Sequence, residues 1–133
     1  MSFFVYDSMR TDLLSGGLNF EDNFEFKLMT SSYVPCIDKD TNFSEISAFE
    51  VVGGGYSNIV GPFTITQTTD QNKTLLTKDQ LLWESITATF KYLICCDQAT
   101  GKLVFCYGFN SDKVITNGDY IVEWPSEIIM ELR

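Results

Sequence analysis

The 133 residues carry nine Lys and Arg against eighteen Asp and Glu, giving a net charge of −9, and no histidine. That balance repels polyanions, because nucleic-acid affinity comes largely from cations neutralising phosphates, and it equally disfavours anionic membranes, so neither is expected as a partner. Hydrophobic residues make up 44% and aromatics 14%, and a chain of this size buries roughly two-thirds of its unfolded surface, so one β-rich domain over residues 1–133 is expected.

The N-terminal stretch MSFFVYDSMR has neither the basic segment nor the long apolar segment of a secretion signal. Apolar runs such as YLICC fall far short of the ~20 residues that a membrane helix needs. Synthesis and folding in a cytoplasm are therefore expected. Phe3, Phe4 and Tyr6 form an apolar arm, residues 1–6, ahead of the first helix candidate, DSMRTDLLSGG. There Asp7 or Ser8 can cap the N-terminus, Met9, Leu13 and Leu14 supply a 3.6-residue stripe, and Gly16–Gly17 stop the helix.

After the glycines the period changes to two. FEFKLMT alternates Phe24, Phe26 and Leu28 against Glu25, Lys27 and Met29, the pattern of a half-buried strand. SSYVPCIDKDTNFSEI reads as a loop, SAFEVV as a helical turn running into a strand end, and FTITQTTDQ as another strand. KTLLTKDQLLWESI fits either a helix or a strand followed by a turn. ITATFKYLICC and KLVFCYGF, joined by DQATG, form the clearest hairpin, and GDYIVEWPSEIIMEL reads as two short strands around Pro125. Seven or eight strands and one short N-terminal helix predict a mainly β fold, a β-sandwich or partly closed barrel.

The hairpin also bears on the cysteines at 36, 95, 96 and 106. With DQATG as the connection, Cys96 faces Lys102 and Tyr92 faces Cys106. Cys96 and Cys106 are then ~13 Å apart at the usual strand rise, beyond the roughly 7 Å that a disulfide spans. Buried, reduced thiols are expected.

Catalytic groupings are hard to draw. Without histidine no Ser-His-Asp or Cys-His arrangement exists. The carboxylates Glu21/Asp22, Glu45/Glu50, Glu84 and Glu123/Glu127 carry no spacing that singles out an acid and a base, and they read as solvated surface. No catalytic residue, cofactor or metal is assigned. DKDTN, residues 38–42, resembles the start of a calcium loop, but Phe43 stands where glycine is needed and position twelve falls on Phe49. An ordinary turn is favoured, with a cation on Asp38, Asp40 and Asn42 left open.

EVVGGGYSNIVGPF, residues 50–63, contains three consecutive glycines. A phosphate cradle needs a helix N-terminus after the glycines, and here the following residues are strand-like with no Lys. Gly53–Gly55 are read instead as allowing positive φ at a bulge or tight crossing.

Read together, these segments resemble a family of small virion proteins of tailed bacteriophages. The matching positions are Leu13/Leu14 and Gly16; Thr30, Ser31, Tyr33 and Pro35; Asp38, Asp40 and Phe43; and Glu50, Val51, Gly53, Gly55 and Tyr56. In the second half they are Trp83, Ser85, Ile86, Thr87 and Ala88, then Phe109, Asp112, Gly118, Val122 and Trp124. Asn42 stands where the family has a loop histidine, and SNIVG replaces the usual glycine pair after Tyr56.

The resemblance implies a non-enzymatic virion structural protein, and a capsid decoration or cement protein on the outside of the head is the leading expectation. Its partners would be the major capsid protein or other virion proteins, with a homo-oligomer left open, and its location the virion, assembled in the bacterial cytoplasm. The alternative is a neck, tail or fibre component, including an adhesin-like carbohydrate-binding module that would stack sugars on Trp83 or Trp124. Phe3, Phe4, Tyr6, Tyr33, Phe43 and Tyr56 are the candidate interface anchors, since aromatics dominate interface hot spots.

Overall fold

A computed structural model of the chain describes residues 2–68, 73–78, 80–122 and 128–132. Among them are eight strands and one α-helix: β1 Ser2–Val5, α1 Asp7–Leu14, β2 Asn23–Met29, β3 Ile59–Pro62, β4 Thr64–Thr68, β5 Lys73–Thr77, β6 Leu81–Asp97, β7 Leu103–Val122 and β8 Ile128–Leu132. Two short 3-10 turns, Phe43–Glu45 and Ser47–Phe49, interrupt the long loop between β2 and β3.

The strands form a five-stranded antiparallel sheet in the order β1-β7-β6-β2-β3 and a three-stranded sheet in the order β4-β5-β8. The mainly β, sandwich-like expectation holds. The partly closed barrel does not: the end strands β1 and β3 do not pair, so the large sheet stays open. KTLLT, open to helix or strand by its pattern, is a strand, because pairing with β4 and β8 fixes it. Glu123, Trp124, Pro125 and Glu127 lie outside the described residues.

Around β1, β2 and the turn-proximal part of the β6–β7 hairpin, the large sheet is buried on both faces. One face carries Phe24, Phe26, Leu28, Leu93, Cys95, Phe105 and Tyr107, covered by Met9 and Leu13 of α1 and by Leu18, Phe20 and Phe63. The other carries Met29, Ile94, Cys96, Leu103 and Cys106 with Tyr6, covered by the loop residues Tyr33, Ile46, Phe43 and Phe49. The second layer is thus a loop, held by side chains. This explains why β2 departs from its half-buried reading: Met29 is fully buried and Lys27 only 8% exposed.

Helix α1 ends where expected, with Gly16 at φ +82°. Its N-cap, however, is Tyr6, without a side-chain cap, because the extended Tyr6 is fixed in the core and the Asp7 N–H donates to the Ile37 carbonyl at 3.0 Å. Leu14 of the expected apolar stripe is 89% exposed. Phe63, just ahead of β4, is buried, while Ile65 within it is 46% exposed.

The β6–β7 hairpin extends well past its expected ends and is irregular. An offset between Cys95 and Cys96 places Leu103 opposite Cys96, Phe105 opposite Cys95 and Cys106 opposite Ile94. The expected register is corrected accordingly: Cys96 and Cys106 are offset by two residues, not four, on the same face of the sheet. All four cysteines are free thiols, with only Cys36 outside the core. Two further irregularities hold non-glycine residues at positive φ, Ser85 at +52° and Asn117 at +48°. Both are tied across the hairpin: Ser85 N–H donates to Asp119 Oδ1 and Asn117 N–H to Thr87 Oγ1, each at 2.9 Å.

Candidate interaction surface

The six aromatic candidates do not form one exposed patch. Phe3 is 41% exposed and lies in β1, opposite Tyr107 and packed on Phe105 with ring centroids 5.2 Å apart. Phe4 is half-buried against Tyr6. Tyr6 and Tyr33 are core residues at 0% and 2% exposure. Phe43 is half-buried beneath the Lys27 ammonium, which sits 4.3 Å from its ring centroid. Tyr56 is half-buried over Trp83. The described residues of the 1–6 arm are therefore an edge strand and a core tyrosine. Backbone pairing with β7 and burial of Tyr6 hold the arm on its own sheet.

The acidic loop has a structural task. The Tyr6 and Tyr33 hydroxyls meet at 2.6 Å, Tyr33 donates onward to Asp40 Oδ2 at 2.8 Å, and the Cys36 N–H donates to the same oxygen at 2.9 Å. Burial pushes both tyrosines far above the ordinary phenol range. Asn42 caps the first 3-10 turn: its Oδ1 accepts from Ser44 N–H and its Nδ2 donates to the Thr100 carbonyl. Glu45 reaches back to the N–H groups of Thr41 and Asn42, completing a capping box and holding its carboxyl below the usual range. Asp38, exposed, accepts from Cys36 Sγ at 3.2 Å. Asp40 and Asn42 are thus engaged within the loop, and among the described residues no three Cys, Asp or Glu gather into a metal-holding group.

The glycine stretch is a strap across β6. Gly53, Gly54 and Gly55 take φ +79°, +63° and +78°. The Gly54 carbonyl accepts the Thr87 N–H at 2.8 Å, and a Cβ on Gly54 would collide with the Thr87 carbonyl. A Cβ on Gly55 would sit 2.9 Å from the Ser85 carbonyl. Only glycine permits this approach, so the reading as a tight crossing at positive φ holds.

Tyr56 pins the end of the strap. Its hydroxyl donates to Glu50 Oε2 at 2.5 Å and accepts the Leu28 N–H at 3.0 Å. Glu50 and Glu25 flank the Lys27 ammonium at 3.7 and 3.1 Å, and Asn58 donates to Glu25 at 2.6 Å. Beneath Tyr56, Trp83 is 3% exposed and its indole N–H donates to the Ser57 carbonyl at 2.8 Å. That side chain is structural, which removes it as a sugar-stacking platform.

Beside the strap an open groove of about 440 Å3 runs along the outer face of the β6–β7 hairpin. It is lined by Thr30, Thr87, Thr89 and Thr116, by Val52 and Val114, and by neighbouring apolar residues, none of them charged. Val52 is 92% exposed and Val114 67%. On the same hairpin the cross-strand partners Leu82 and Ile121 are 42% and 49% exposed. Chain patterning does not single out this groove. The available signal is the alternation in ITATF, where Thr87 and Thr89 take the outer face while Ile86, Ala88 and Phe90 fill the core.

Comparisons with family models, with curated proteins and with solved structures found no match to this chain.

Proposed function

We propose that this chain is a non-enzymatic structural protein of a tailed-bacteriophage virion, a capsid decoration or cement protein that binds the outside of the head through the major capsid protein. The observation that carries the reading is the charge-free groove on a chain of net charge −9. Interface cores are depleted in charge, whereas an ordinary acidic surface is not. The distributed motif resemblance, from Leu13 to Trp124, supports the same reading.

The binding works by shape and desolvation. Covering Val52 and Val114 on docking gains on the order of 1.5 kcal/mol for each side chain fully removed from water. The net charge of −9 keeps free copies apart in solution. Many copies on one lattice need no more than modest affinity each. The anchor role first given to Tyr6 and Tyr33 does not extend to this mechanism, because both rings are already buried.

The test is reconstitution. Particles assembled without the protein should take up purified protein added to them, and Val52→Asp should reduce that uptake while leaving the fold intact. Failure of wild-type protein to bind such particles would overturn the reading.

A further inference from the structure

We infer that the groove takes an extended, uncharged peptide segment of the partner protein, which adds as a short strand to the open edge of β6 at Thr89. The inference rests on the proposed virion role for the source of the segment, but its chemistry follows from the groove itself.

Edge geometry comes first. Strand β2 pairs with β6 from Asp97 back to Tyr92, where the ladder stops at Met29. Further along the same edge, the strap takes over at Thr87, whose N–H donates to Gly54. Thr87 therefore turns its backbone groups away from β7. Counted from Thr87 along the strand, Thr89, two residues on, directs its N–H and C=O to the same open side, and the register shift between Phe90 and Tyr92 resets the alternation before the β2 ladder begins. Thr89 faces Val114 across the hairpin, and among the described residues no backbone or side-chain group bonds to its outward N–H or C=O. The interval from Tyr92 to Thr87 spans roughly 17 Å at the ordinary strand rise, room for a few residues of extended chain.

The walls then define the occupant. Thr30, Thr87, Thr89 and Thr116 offer hydroxyls and methyls, while Val52 and Val114 offer methyls only. A charged side chain lying in the groove would be desolvated with no counter-charge on any lining residue, which is costly. Small, β-branched or hydroxyl side chains fit, and main-chain hydrogen bonding supplies the affinity, as in other strand-addition complexes. A second copy of this chain is disfavoured, because it would bring another net charge of −9.

The experiment screens the full chain against a displayed library of random linear nine-residue peptides. Peptides rich in uncharged Thr, Ser and Val should be enriched. A selected peptide should slow amide exchange at Thr89, and Val52→Asp should weaken its binding roughly tenfold or more. Because Val52 is 92% exposed, that variant should fold normally. No enrichment, enrichment of charged peptides only, unchanged exchange at Thr89, or full binding by the variant would each overturn the inference. Peptide binding by a protein that virions lack would leave the groove assignment standing and overturn the virion role. Particle binding that is indifferent to Val52→Asp would do the reverse.

Discussion

The hydroxyls of Tyr6 and Tyr33, 27 positions apart in the chain, meet 2.6 Å apart inside the protein and hand a hydrogen bond on to Asp40. This contact joins the N-terminal strand to the loop that covers the second face of the sheet. Tyr33→Phe would leave the buried Tyr6 hydroxyl without its acceptor and the half-buried Asp40 without one of its donors. The expected loss is about 1–3 kcal/mol of unfolding free energy, measured by urea titration. Tyr6→Phe combined with Tyr33→Phe should cost less than the sum of the two single changes, because the pair forms one network.

The same contact turns the N-terminal arm into a folding element. Deleting residues 1–6 removes the edge strand β1 and a tyrosine at 0% exposure. Loss of a buried aromatic alone costs roughly 3–5 kcal/mol, so the truncated chain should lose its cooperative thermal transition or melt far lower. Phe3→Ala, at a ring 41% exposed, should shift the melting temperature only slightly. A truncated chain with an unchanged melting temperature would contradict this arrangement.

The strap gives a paired glycine experiment. Gly53 and Gly54 both have positive φ, but a Cβ on Gly53 meets open space whereas one on Gly54 meets the Thr87 carbonyl. Gly53→Ala should cost about 1–2 kcal/mol, the ordinary cost of a left-handed L-residue. Gly54→Ala should cost more, and amide exchange at Thr87 should quicken as the strap lifts. Equal effects of the two changes would mean that the close approach carries no energy.

Thiol burial sets a pH dependence. Desolvation pushes Cys96 and Cys106 up to about 12 from an ordinary value of 9.0. Above pH 9 the unfolded chain releases these protons while the folded chain keeps them. The unfolded state then binds fewer protons, and stability falls as pH rises. Stability should be intact below pH 9 and decline between about 9 and 12, by up to roughly 1.4 kcal/mol per pH unit for each thiol. Burial of Tyr6, Tyr33 and Tyr56 adds to the decline above the ordinary phenol value of 10.0. Urea midpoints measured across this range check the slope, which should flatten when Cys96 and Cys106 are replaced by Ala.

Local patterning revealed most of the strands. The two-residue period of FEFKLMT marks β2, the DQATG turn marks the β6–β7 hairpin, and Gly16 marks the end of α1. The burial of Lys27, Tyr6 and Tyr33 was not legible. It depends on the loop from Thr30 to Phe49 folding over the second face, and no periodicity announces a layer without secondary structure. The hairpin register was missed for a related reason: the offset beside Cys96 and the positive-φ residues Ser85 and Asn117 answer to contacts across the sheet. The groove was hidden because its walls come from four separate segments, and the threonines that line it look like ordinary strand positions.

The most direct measurement is the copy number of this protein in purified, mature virions, by quantitative mass spectrometry against the major capsid protein. A capsid decoration role predicts a fixed ratio to the capsid protein, with release of the protein leaving the head less stable. A handful of copies per particle would move it to the neck, tail or fibres. Its absence from mature particles would contradict the structural role altogether.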